Sequence, residues 1–113
     1  MGYGAKSVDD WADDIYAWAQ RKGWYENPDR NYGELCALFH SEISEALEEW
    51  RIGRMDTEFR EDGKPLGFYT ELAGCVIRIM DTFAANGQSL ERELRLNMEY
   101  NEKRPYRHGG KLA

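Results

Sequence analysis

Cysteine, histidine and proline are scarce in this chain of 113 residues, which holds two, two and three of them. The cysteines, Cys36 and Cys75, stand in apolar helical patterns without a CxxC spacing or a histidine partner. That pattern excludes a thiolate zinc motif and favours two buried thiols over a disulfide. No apolar segment of signal-peptide form opens the sequence and no uninterrupted apolar run approaches a membrane span, so a cytoplasmic protein with no membrane partner is expected. Positive charge is also short. Fifteen Lys and Arg face 21 Asp and Glu, a net charge of −6, and a nucleic-acid backbone is therefore not an expected partner. The exception is local: Lys103, Arg104, Arg107, His108 and Lys111 crowd the C-terminal end, a patch fit for an anion and short for a duplex footprint.

Helical periodicity is abundant. Ser7, with Asp10 three residues on, opens a pattern of Val8, Trp11, Ile15 and Trp18 that predicts a helix over 8–22, ended by Gly23. Residues 24–31 read as a connection. A second helix is expected from Asn31 or Tyr32 to Gly53, its stripe made of Tyr32, Leu35, Cys36, Phe39, Ile43, Ala46, Leu47 and Trp50. Residues 53–67 carry glycines, a proline and mixed charge, and read as a long mobile inter-helix loop and candidate lid. The third helix, about 68–86, is apolar on more than one side, which implies the centre of a bundle or a subunit interface. Ser89 caps a fourth over about 90–103, which Pro105 stops, and a basic tail covers 104–113. The expected fold is all-α: one domain over 1–113, a four-helix antiparallel bundle completed by self-association.

Within this frame the acids are grouped. Glu42, Glu45 and Glu49 recur at three and four on the second helix, with Ile43, Leu47 and Trp50 read as pointing to the core. Glu48 lies beside them. On the third helix Glu71, Gly74, Arg78 and Asp81 form a narrow non-apolar stripe. A solvated acidic surface would explain the first set alone. If the helices run antiparallel with these faces together, Glu42 and Glu45 meet Glu71 in a partly dry cleft, where a hard cation such as magnesium would offset their repulsion.

The pairs Glu42/Glu45 (EISE) and Glu71/Gly74 (ELAG), with the closing NEKRPYRHGGK, resemble the MazG-like all-α nucleoside triphosphate pyrophosphatases, marked by ExxE on one helix and ExxD on the next. The resemblance spans about Tyr32 to Lys111. It implies a magnesium-dependent homodimer or homotetramer that cuts a nucleoside triphosphate to monophosphate and pyrophosphate. Glu42, Glu45 and Glu71 would hold Mg2+, and Glu49 or Glu45 would take the proton of the attacking water. Asn101, Arg104, Arg107, His108 and Lys111 would contact the substrate. Trp50, Phe68, Tyr69 and Tyr32 are the candidates for stacking on a base.

Gly74 departs from the pattern, because it stands where the family has Asp and offers no ligand. Asp81, about 10 Å further along the helix, cannot replace it and is expected to pair with Arg78 or meet a substrate group. Water could fill the vacated coordination position. The alternative is a catalytically inactive nucleotide-binding or helical interaction protein.

Overall fold

The computed structural model describes residues 5–27 and 31–113, so residues 28–30 of the expected connection lie outside the described residues. The chain is predominantly helical: α1 (Val8–Arg21), α2 (Tyr32–Arg51), α3 (Phe68–Ala85), α4 (Leu90–Glu102) and a four-residue turn α5 (Arg107–Gly110). Local chemistry sets the starts. Ser7 and Asp10 form a capping box, with the Asp10 amide donating to Ser7 Oγ at 3.1 Å and the Ser7 amide to Asp10 Oδ2 at 3.3 Å. Asn31 accepts from the Glu34 amide and Ser89 from the Arg92 amide, each satisfying one orphan donor of α2 and α4. Gly23, at φ +85°, follows the end of α1 as expected.

The 53–67 segment departs from the expectation of a structureless loop. Glu58–Phe59 (β1) and Pro65–Leu66 (β2) pair antiparallel, Glu58 opposite Leu66 and Phe59 opposite Pro65. Two-residue strands are too short to leave an alternating pattern in a sequence. The hairpin is tied at its base: the Phe68 amide donates to the Arg54 carbonyl at 3.0 Å, and Gly67 lies buried at φ +137° against the Asp56 carbonyl. A Cβ there would stand 2.8 Å from that oxygen, so only glycine fits.

Packing centres on α3, which lies against α1, α2 and β2, whereas α4 packs substantially on α1 alone. Asp9 of α1 makes that join, accepting from Ser89 Oγ at 2.5 Å and from the Glu91 amide at 3.1 Å. The core is small: among the described residues, Ala12, Ala19, Leu35, Ala46 and Cys75 are the buried apolar ones. Cys36, expected to be buried, is exposed, and both thiols are free. Ile43, Leu47 and Trp50, expected to face the core, are also exposed, at 48%, 49% and 58%. The reason is which flank of α2 meets α3. Leu35 and Ala46 are buried, the Phe39 carbonyl takes the Cys75 thiol at 3.7 Å, and Glu42 bonds Arg78. The seam therefore runs along 35, 39, 42 and 46, the heptad spacing of packed helices, and passes through an acid.

Candidate metal and phosphate site

Because the seam includes position 42, the acids of α2 and α3 are brought together. Glu42, Glu45 and Glu71 each present a carboxylate oxygen, and these three oxygens lie within 4.8 Å of one another. Glu42 and Glu71 are half-buried and Glu45 is exposed. Burial pushes the Glu71 carboxyl above its ordinary value, and a hydrogen bond shared with Glu45 and repulsion from Glu45 and Glu42 push the same way; Lys64 acts against them. Three carboxylate oxygens this close together form an oxygen-only donor set of the kind that suits a hard divalent cation.

Position 74 has a second consequence. An ideal Cβ on Gly74 would stand 2.9 Å from Glu42 Oε2, so the Glu42 carboxylate lies in the space a side chain at 74 would need. Arg78 Nε holds it there, donating to Glu42 Oε1 at 2.7 Å. The expected Arg78–Asp81 pair is thus replaced: Arg78 turns to Glu42, and Asp81 accepts from the Tyr25 hydroxyl at 2.7 Å. Sequence spacing favoured the neighbour one helical turn away, whereas the open side of a glycine lets a carboxylate from the next helix reach the guanidinium.

Beside the three acids lies a cavity of about 410 Å³, lined by Ser44, Glu45, Glu48, Glu49, Lys64, Leu66 and Glu71. Glu49, expected as a base, lines it with its carboxylate facing Arg54 Nη1 at 3.2 and 3.4 Å. Arg54 Nε also reaches Glu58 at 3.0 Å, joining α2 to the hairpin. A cavity of about 500 Å³ lies between α1, α2 and α3, with Trp18, Trp24, Leu35, Leu38 and Ile77 among its walls. Gly74 and Arg78 also line it, so this apolar space and the acid cluster share the Glu42 wall. Its tryptophans were not among the stacking candidates, because Trp18 falls in the apolar stripe of α1 and Trp24 opens the stretch read as a connection.

The expected substrate contacts lie elsewhere in the chain. Arg104 sits over the Tyr100 ring at 5.7 Å, Arg107 over Tyr106 at 5.6 Å, and the Asn101 amide reaches Met98 Sδ at 3.8 Å. His108, at φ +51°, and Lys111 are exposed. None of these five lines the acid cavity, which takes its lysine from the hairpin instead.

Compared with protein-family models, curated proteins and solved structures, the chain matches none.

Proposed function

We propose that this chain is a MazG-like, magnesium-dependent hydrolase that cuts a nucleoside triphosphate to the monophosphate and pyrophosphate. The observation that carries the reading is the meeting of Glu42 and Glu45 of α2 with Glu71 of α3, their oxygens within 4.8 Å. Glu45 and Glu71 are the ligands already turned to each other, and Glu42 joins them by its edge while keeping Arg78. Magnesium, when bound, supplies positive charge against phosphate oxygens and makes a coordinated water more acidic. Glu49, oriented by Arg54 at the cavity wall, is placed to take a proton from water, directly or through a second water. The apolar cavity behind Glu42 is where a base would lie, between faces such as those of Trp18 and Trp24.

On this reading the helices would complete a four-helix bundle by self-association, as a homodimer or homotetramer. Exposed Leu94, Leu96, Met98 and Tyr100 on α4, with Ile43, Leu47 and Trp50 on α2, are the surfaces a second copy would cover. Such an assembly offers Asn101, Arg104, Arg107, His108 and Lys111 of one copy to the acids of another. A second reading, a nucleotide-binding or interaction protein without catalysis, is favoured by one observation: Arg78 already neutralises Glu42 in the space that Gly74 leaves.

The test is product analysis with magnesium and a panel of nucleoside triphosphates, for this chain and Glu45→Gln. Monophosphate and pyrophosphate from the first and a loss of about 100-fold or more in the second support the hydrolase. Binding of nucleotide without turnover supports the second reading.

A further inference from the structure

The acid cavity has one cationic side chain in its wall, Lys64. The arginines of this region are already engaged: Arg51 by Glu48, Arg54 by Glu49 and Glu58, Arg78 by Glu42, and Arg60 by Asp62, through two bonds of 2.9 and 2.6 Å. The Lys64 ammonium, among the described residues, closes on no carboxylate, although Glu45, Glu48, Glu49 and Glu71 share its cavity. The backbone beneath it is fixed. Its amide donates to Asp62 Oδ1 at 3.2 Å, its carbonyl accepts from the Arg60 amide at 2.9 Å, and Pro65–Leu66 follows as β2, which packs on α3.

An exposed lysine on a fixed backbone, sharing a cavity wall with carboxylates and pairing with none of them, puts positive charge on one side of the space and negative charge on the other. A divalent cation on the carboxylates followed by a phosphate anion against the lysine fills that gap with alternating sign. We propose that Lys64 is a substrate-binding residue that contacts the phosphate chain lying across Glu45 and Glu71, a proposal that rests on the hydrolase reading above. The hairpin is then a fixed carrier of a phosphate-binding cation rather than a lid.

Lys64→Met keeps the aliphatic stem and removes the charge, and Lys64→Arg restores it. Steady-state kinetics would be run on both beside the unaltered chain, with calorimetry of magnesium alone and of inorganic pyrophosphate in the presence of magnesium. The expected result is that Lys64→Met raises KM and weakens pyrophosphate binding by about tenfold or more, leaves binding of magnesium alone no weaker, and is rescued by Lys64→Arg. Unchanged KM and pyrophosphate affinity in Lys64→Met, with the unaltered chain active, would overturn the assignment and leave the hydrolase reading standing. Equal loss of magnesium and pyrophosphate binding with a lowered melting temperature would overturn it in favour of a purely structural hairpin residue. An unaltered chain that turns over no triphosphate would overturn the hydrolase reading and this assignment with it.

Discussion

Glycine inside a helix costs about 1 kcal/mol relative to alanine, so Gly74 in the middle of α3 carries a penalty that some other contact must offset. The Glu42–Arg78 bond is that contact, since the carboxylate occupies the space of the missing Cβ. Gly74→Ala should therefore gain less than the full ~1 kcal/mol in urea unfolding, because Glu42 must move from a 2.9 Å approach while Arg78 holds it. In an Arg78→Ala background the carboxylate is released and the gain should recover, an interaction read directly from the double-mutant cycle. Equal gains in both backgrounds would show that the pair does not depend on the glycine. Glu71 gives a pH signature. Its folded carboxyl holds a proton more tightly than the unfolded one, so stability without magnesium falls as pH rises from the ordinary carboxylate range through the raised folded value. Glu71→Gln should flatten that slope in melting temperature against pH. The acids themselves were legible in the sequence because three- and four-residue spacing places them on one face. Their surroundings were not, because Arg78 reaches Glu42 from the next helix and Lys64 shares the cavity from the hairpin, and spacing along one helix carries no information about that.

At the scale of elements, the four long helices were legible to within a residue or two, since each has apolar periodicity and α1, α2 and α4 add a polar cap that works locally, whereas α3 starts at Gly67 without a side-chain cap. The hairpin was not, having strands of two residues and a position, Gly67, whose requirement comes from a carbonyl eleven residues earlier. Gly67→Ala should destabilise the chain by roughly 1–3 kcal/mol, through the positive φ and the approach to Asp56, with the loss read by urea unfolding. The join of α4 to α1 was equally hidden, because Asp9 caps a helix that begins eighty residues later. Its carboxyl is held below its ordinary value, first by the Ser89 hydroxyl and then by the Glu91 amide. The stabilisation is therefore complete above the unfolded pKa of Asp9 and is lost as pH falls through the folded one. Asp9→Ala should speed amide hydrogen exchange in the first turn of α4 at neutral pH and leave α3 unchanged.

As a whole molecule, the chain is more open than its length requires. Its radius of gyration is 16.7 Å against roughly 13 Å for a compact domain of this size, and its buried core is mostly alanine. No helix among the described residues is long and apolar enough to cross a membrane. Exposed apolar faces on α2, α3 and α4 are expected to close against further copies, so analytical ultracentrifugation should find dimers or tetramers at micromolar concentration. Replacing exposed Leu94 and Met98 of α4 by Glu should shift the protein toward monomer. The most direct test of the account remains the reaction that the three carboxylates are proposed to support. Magnesium-dependent release of pyrophosphate and monophosphate by the unaltered chain, abolished in Glu45→Gln with the fold intact, is the expected result. Terminal phosphate as the product, or equal turnover by the two proteins, would contradict it.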